Sequence, residues 1–290
     1  MAVTVLAALL AMAAGAAITA VLTQAKPSSA SSQPDNAGTA SLQAAAAVRS
    51  QAANWIAQQV SSAATLECDP TMCAALQAAG VSAARLLVLQ PSDFDPLGAT
   101  VIVATQVVRN QFGSRLATVY APLVIASFGS GANSIDVRAT APEGTAAFDS
   151  QLASDLAARI VAGQQLLHNK NVHASAAARK ALLDGDVDPR LLVTLSALAF
   201  KMRLYLIAFD DSSPGANPDV PLRGAEIGAS ASGLTAMLAF LAGQQTTYRP
   251  AQDGIVRLAG GLSAVTIRFD APALLGLNGP LRRGQGEGLT

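Results

Sequence analysis

The residues of this chain that could bind a metal or transfer a proton are concentrated between positions 168 and 226. Asp219 and Glu226 lie seven positions apart in the strand-like stretch DVPLRGAEI, and the chain's two histidines, His168 and His173, precede them. Imidazoles and carboxylates are the usual ligands and acid–base groups of metal-dependent hydrolases. The first question is therefore whether these four residues form such a site.

The positions of the histidines do not favour a zinc centre. Catalytic zinc needs about three protein ligands, usually rich in histidine, and an open position for water. His168 and His173 are five residues apart, off the i, i+4 spacing that places two imidazoles on one helical face. No histidine follows position 173. We therefore expect both histidines to have surface or capping roles.

The acidic residues near Asp219 suit a harder cation better than zinc. Asp210 and Asp211 begin the loop DDSSPGANPD, which ends at Asp219. Ca²⁺ and Mg²⁺ prefer oxygen ligands, but they need more converging oxygens than Asp219 and Glu226 supply. The main prediction is that these acids cap turns and stay solvated. We therefore expect the protein to have no catalytic residue, no bound metal and no cofactor. Asp219 and Glu226 are the minor candidates for metal ligands.

The two cysteines predict a structural disulfide. Cys68 and Cys73 flank an Asp-Pro helix start in ECDPTMC. In an oxidising compartment this spacing can close a small loop that ties a strand to a helix. The alternatives are two inert buried thiols or, least favoured, a reactive pair, which usually has the spacing C-x-x-C. The chain also lacks the G-x-S-x-G motif of serine hydrolases.

The start of the sequence indicates export. Residues 2–23 contain no charged residue and are long enough to cross a bilayer as one helix. A stretch rich in Ser, Ala and Pro follows, which is typical of a flexible linker. We predict a transmembrane anchor or signal segment at residues 1–24 and a linker at residues 25–42. The soluble part is then extracytoplasmic on a single-pass cell-membrane protein, or secreted if the segment is cleaved.

The overall composition excludes some classes of partner. Hydrophobic residues make up 51% of the 290 residues and charged residues 13%, so the chain can bury a substantial core. The 19 basic residues balance the 19 acidic ones and form no run, which argues against nucleic-acid binding. The glycine-rich SFGSG, at residues 127–131, precedes a strand-like sequence and so predicts a hairpin turn, not a phosphate loop.

Residues 43–142 predict a small, largely parallel α/β domain that ends in a hairpin. The order WIAQQV, ATLECD, ATVIVAT and SFGSGANSIDVRAT resembles the extracytoplasmic domain appended to some bacterial membrane glycosyltransferases. The multi-span catalytic part of those enzymes has no counterpart here, so the resemblance does not imply glycosyl transfer. It implies a globular module near the outer membrane face that binds a sugar or a partner.

Residues 143–275 predict an α+β domain with a small sheet, followed by a flexible tail at residues 276–290. The segment VDPRLLVTLSALAFKMRLYLIAF resembles the zinc D-Ala-D-Ala peptidase-like domain of exported bacterial cell-wall proteins. On that family's motif H-x-x-G-x-A-x-D-I, Asp219 stands at the His and Glu226 at the Asp, with Leu222 at the Gly. The resemblance implies a peptidase-like domain that has lost its metal ligands.

These patterns predict a non-catalytic, membrane-tethered extracytoplasmic protein that acts by binding at the bacterial cell envelope. The expected partner is an envelope protein or a cell-wall or surface glycan, and the expected membrane contact is the N-terminal helix. A glycan-binding module is the first alternative. An active peptidoglycan hydrolase with atypical ligands is the second.

Overall fold

A computed structural model of the chain describes residues 35–258, 261–273 and 275. The predicted anchor or signal segment and the predicted tail lie outside these residues. Within the described part, no helix is both long enough and apolar enough to cross a membrane. The described chain is a mixed α/β protein built on two five-stranded mixed sheets.

The first sheet has the spatial strand order β2-β1-β3-β5-β4. Strand β1 pairs in parallel with β2 and β3, whereas β5 pairs antiparallel with β3 and β4. The predicted hairpin of β4 and β5 is therefore present. Because its strands are antiparallel to their neighbours, the sheet is mixed and only β2, β1 and β3 run parallel. The elements are α1 (Asp35–Gln59), β1 (Leu66–Cys68), α2 (Pro70–Ala78), β2 (Leu86–Val88), β3 (Val101–Ala104), α3 (Gln106–Phe112), β4 (Leu123–Phe128) and β5 (Ile135–Ala139).

Helices cover both faces of the first sheet. Every residue of β1 and β3 is buried, as expected for parallel strands between two helical layers. Helices α1 and α2 pack on one face, where Ile56 and Leu76 contact the core. Helix α3 packs on the other, where Val108 and Phe112 join a separate cluster. Helix α1 begins inside the stretch predicted as linker, residues 25–42.

The second sheet has the order β6-β7-β8-β10-β9, and only β6 and β7 run parallel. Helix α6 contributes to the core on the helical face of this sheet. Its residues Leu191, Leu195 and Leu198 recur at helical spacing and are buried. The elements are α4 (Thr145–His168), β6 (Val172–Ala174), α5 (Ala176–Asp184), α6 (Pro189–Lys201), β7 (Leu204–Asp210), β8 (Gly224–Gly228), α7 (Ala231–Ala242), β9 (Gln252–Arg257) and β10 (Ser263–Arg268).

The start of α6 is sealed by a buried ion network. The Asp188 side chain accepts from the backbone N–H of Arg190 and caps the helix. The Arg190 guanidinium donates to Asp188 Oδ2 at 2.8 Å and to Asp270 Oδ1 at 2.7 Å. Asp188 is fully buried and Arg190 is 3% exposed. Burial lowers the pKa of Arg190, but the two carboxylates outweigh it and leave the pKa raised.

Backbone hydrogen bonds join the two sheets at two places. The loop after β7 lies along the free edge of β4, where Ser127 N donates to Pro214 O at 2.7 Å and Asn217 N donates to Val124 O at 2.9 Å. The chain after β10 pairs with the end of α1, where Ser61 N donates to Ala271 O at 2.8 Å. These contacts fix the two sheets side by side and leave a cleft between them.

Candidate functional site

The cleft between the two sheets holds a cavity of about 280 Å³. Ligand sites in proteins are usually concave, mostly apolar and supplied with a few polar groups. This cavity has that character. Its walls come from β4, α4, the loop before β8 and the chain after β10. Its lining includes Leu123, Ile125, Phe148, Leu152, Val220, Pro221 and Leu275 on the apolar side, and Thr140, Gln151, Asp155, Arg159, Asp219 and Arg223 on the polar side.

Asp155 and Arg159 form a buried ion pair on the α4 side of the cleft. They lie one helical turn apart, and Arg159 Nε contacts Asp155 Oδ2 at 2.9 Å. Each residue is 4% exposed. The guanidinium also donates to the carbonyl of Gly185, at the end of α5. The pair thus holds α4 against α5, and Arg159 is already engaged on two sides.

Arg223 anchors the loop on the opposite side of the cleft. Its guanidinium is fully buried and donates to Asp211 Oδ1 at 2.8 Å, to Ser213 Oγ at 2.9 Å and to the carbonyl of Phe269 at 2.8 Å. A buried arginine needs such partners because an unpaired charge in the interior is costly. Arg223 therefore positions the loop that pairs with β4 and that carries Asp219 into the cleft.

The mouth of the cleft is acidic. An adjoining hollow of about 390 Å³ shares Leu152, Arg159, Asp219 and Pro221 with the cavity, and it is also lined by Asp149, Asp184 and Asp186. Asp184 pairs with Lys180, and the hydrogen bond from Lys180 to Asp184 raises the pKa of that lysine, with a smaller contribution from Asp186. Among the described residues, Asp149, Asp186 and Asp219 have no ion-pair partner.

The two minor metal candidates occupy different parts of the molecule. Asp219 is exposed at the mouth of the cleft. Glu226 is half-buried on β8, in a separate hollow with Asp210 and Arg268. Arg268 Nη2 contacts Asp210 Oδ2 at 2.6 Å in that hollow. Within the described residues, no group of three or more His, Cys, Asp and Glu side chains is placed to hold a metal ion.

The histidines lie apart from both acids. His168 ends α4, and its Nδ1 lies 2.7 Å from the carbonyl oxygen of Gln164. His173 lies on β6, where its ring stacks on Tyr205 with 5.2 Å between the ring centroids. Neither residue lines the cleft. Asp211, the other loop acid, is the partner of Arg223.

Cys68 and Cys73 form a disulfide, with their Cα atoms 5.4 Å apart. The bond joins the end of β1 to the first turns of α2, as the spacing predicts. It encloses Asp69, whose Oδ1 accepts from the backbone N–H groups of Thr71 at 2.9 Å and Met72 at 3.1 Å. The disulfide and the cap together fix this strand-to-helix turn.

The spacing of Asp155 and Arg159 in the sequence is itself a signal of an ion pair. They stand four residues apart in SDLAARI, the spacing at which opposite charges meet on one face of a helix. Their burial, which makes them part of a cleft, depends on the packing of α5 and cannot be read from that spacing. The cleft itself combines segments from residues 100 to 275, so no local sequence pattern predicts it.

Comparison with known proteins gives no match for this chain among protein-family models, curated proteins or solved structures. The two resemblances drawn from its sequence motifs accordingly stay predictions.

Proposed function

We propose that this protein is a non-catalytic, membrane-tethered extracytoplasmic protein that acts by binding at the bacterial cell envelope, and that it binds through the cleft between its two sheets. The observation that carries the proposal is the make-up of that cleft, which has apolar walls from β4, α4, the loop before β8 and the chain after β10, and unpaired carboxylates at its mouth. The tether is the uncharged segment at residues 2–23, and the disulfide fits an oxidising compartment.

A binding role fits the way the charged groups around the cleft are used. Arg159 is held by Asp155 and Gly185, and Arg223 by Asp211, Ser213 and Phe269. Groups held this firmly orient the walls of the cleft. They support a preformed site, which lowers the entropic cost of binding a ligand.

The lining also favours one class of ligand. Leu123, Ile125, Phe148 and Leu152 offer contact to an apolar body of modest size. Asp149, Asp186 and Asp219 at the mouth attract a cation and repel an anion. We therefore propose an amphipathic ligand whose apolar part enters the cleft and whose cationic group stays at the mouth, such as a basic side chain or amine of an envelope component.

Two small probes of opposite charge test this proposal on the full-length chain in detergent. Phenethylammonium and phenylpropionate have similar apolar bodies, and ligand-observed NMR measures the affinity of each. We expect phenethylammonium to bind more tightly, since a unit charge near a carboxylate contributes about 1 kcal/mol in water, or about fivefold in affinity. Asp219→Asn should reduce this preference, and Leu152→Trp should abolish binding by filling the cleft.

The matched control is Asp253→Asn, which removes an exposed carboxylate on β9, away from the cleft. It should change neither affinity. Equal binding of the two probes, or binding that survives Leu152→Trp, would contradict the proposal. Release of muropeptides from purified peptidoglycan by the same chain would instead support the hydrolase alternative.

A further inference from the structure

A second cavity, of about 160 Å³, lies at the carboxyl ends of β1 and β3, apart from the cleft. It is lined by residues from five segments of the first half: α1, the β1–α2 turn, the start of α3, and the loop and strand of the β4–β5 hairpin. None of the residues that line this cavity also lines the cleft. The lining is Ala45, Arg49, Asp69, Thr71, Thr105, Gln106, Val107, Ala132, Asn133, Ser134 and Ile135. We call this cavity the crevice.

The crevice lies at the point in the sheet where the order of successive strands reverses. From β1 the chain passes through α2 to β2 on one side of β1, and β3 then pairs on the other side. Helices α2 and α3 consequently lie on opposite faces and diverge at the ends of β1 and β3. In open α/β sheets, ligands bind at this topological switch point, outside the carboxyl ends of the strands.

Asp69 closes the floor of the crevice and is 5% exposed. Its Oδ1 accepts the two N–H groups that begin α2, and its Oδ2 accepts the hydroxyl of Thr105 at 2.5 Å. The start of α2 is thus already occupied by its own cap. An anion placed here would find those N–H groups taken and a buried carboxylate beside it, which disfavours a phosphate or sulfate.

The rest of the lining offers both donors and acceptors. Arg49 extends from α1, and within the described residues it makes no hydrogen bond or ion pair. Asn133 supplies an amide and Thr71 a hydroxyl. The Gln106 amide is already engaged by Asn110 and Arg109, and the Ser134 hydroxyl already donates to the carbonyl of Gly131. Amides and hydroxyls can each both donate and accept, whereas a guanidinium only donates. Val107 and Ile135 add a small apolar surface.

We infer that the crevice binds a neutral, polyhydroxylated ligand, a single sugar unit in size. Each sugar hydroxyl both donates and accepts, so it matches a lining in which the free guanidinium of Arg49, the amide of Asn133 and the hydroxyl of Thr71 surround a carboxylate that is already nearly saturated. The C–H face of such a ring would lie against Val107 and Ile135. This site is independent of the ligand proposed for the cleft.

The disulfide has a role in this site, because it holds Asp69 and Thr71 in place. Both residues lie within the loop closed by Cys68 and Cys73. Loss of the disulfide should loosen the floor of the crevice and weaken sugar binding, while leaving the cleft between the two sheets unaffected.

The test uses the full-length chain and a panel of D-galactose, D-mannose, D-arabinose and N-acetyl-D-glucosamine, with inorganic phosphate as the anionic probe. Saturation-transfer NMR should detect binding of at least one sugar and none of phosphate. Arg49→Met and Asn133→Ala should each weaken that binding by about fivefold or more, since a lost hydrogen bond costs about 1 kcal/mol. Circular dichroism confirms that both variants fold, and exposed Asn133 makes its variant the safer one.

Leu152→Trp, the variant that fills the cleft, should leave sugar binding unchanged, so the two sites fail or succeed separately. Three results would overturn the inference. These are binding of phosphate that Arg49→Met removes, absence of binding for every sugar in the panel, or sugar binding that neither Arg49→Met nor Asn133→Ala alters.

Discussion

Helices α2 and α6 both begin at an Asp-Pro pair, and the two starts are held in different ways. In the second half of the chain, Asp188 is fully buried and is matched by Arg190, which also binds Asp270. In the first half, Asp69 is held between the disulfide and the hydroxyl of Thr105. The ionic network buries the start of α6 in the core, whereas Asp69, at the start of α2, forms the floor of an open crevice.

The residue before the disulfide extends this contrast. Glu67 lies on β1 and is 6% exposed, and its Oε2 has no hydrogen-bond partner among the described residues. Burial, with smaller contributions from Asp93 and Asp95, raises the pKa of Glu67 from 4.5 to about 7. The second half therefore matches its buried carboxylate with a cation, while the first half keeps one unmatched. Four variants measure that difference.

The largest effect is expected from Arg190→Met. This change leaves Asp188 buried without its cation, and breaking a buried ion pair in this way costs about 3–5 kcal/mol. Urea unfolding followed by circular dichroism measures the loss. Lys180→Met is the control, because it removes the exposed partner of Asp184 and should change the free energy of unfolding little. A small effect of Arg190→Met would show that the network is not what seals α6.

Glu67→Gln should stabilise the protein at neutral and higher pH. A raised pKa in the folded state means that stability is fully present below pH 4.5 and is lost as the pH rises through about 7. The shift corresponds to about 3 kcal/mol above that range. Urea unfolding between pH 4.5 and 8 should show this loss in the native chain and not in Glu67→Gln.

Asp253→Asn serves as the control for this pH profile, because Asp253 is exposed. It should keep the loss of stability that the native chain shows. Parallel pH profiles for the native chain and Glu67→Gln would mean that Glu67 is ionised without cost in the folded protein, and the proposed contrast with Asp188 would fail.

Several of these features follow directly from local sequence. The Asp-Pro pairs predict the starts of α2 and α6, because aspartate caps the free N–H groups and proline fits the first turn. The glycine-rich SFGSG predicts the β4–β5 hairpin, in which Gly129 and Gly131 adopt positive φ angles. The spacing in ECDPTMC predicts the disulfide.

The features that concern function depend on packing between distant segments. Four strands and two α-helices separate Arg49 from Asn133 along the chain, and only the strand order brings them to one crevice. Asp219 and Glu226 keep a motif's spacing, but the loop that pairs with β4 takes Asp219 to the cleft while β8 takes Glu226 to another hollow. β6 is three residues long and carries no periodic signal that could predict it.

Replacement of Cys68 and Cys73 by alanine should cost about 2 kcal/mol, the value expected for opening a loop this short. The helix start of α2 should loosen while that of α6 does not, which hydrogen exchange at the first residues of each helix can measure. Equal loosening of both helices would contradict the view that the two starts are held independently.

The smallest of the four effects is expected from Thr105→Val. Valine keeps the shape of threonine but removes the hydroxyl that donates to Asp69 Oδ2, and a hydrogen bond to a charged group contributes about 1.5–3 kcal/mol before relaxation. Because Asp69 retains its two backbone donors, we expect the lower end of that range. Thr118→Val, which removes an exposed local hydrogen bond, is the matched control and should have little effect on urea unfolding.

The central claim is that the cleft between the two sheets is the binding site, and hydrogen–deuterium exchange of the full-length chain with and without phenethylammonium tests it most directly. The account predicts slower exchange in β4, in the part of α4 around Leu152 and in the loop around Asp219, and no change in β9 or at the crevice. Protection confined to other segments, or no protection at concentrations where the probe binds, would contradict it.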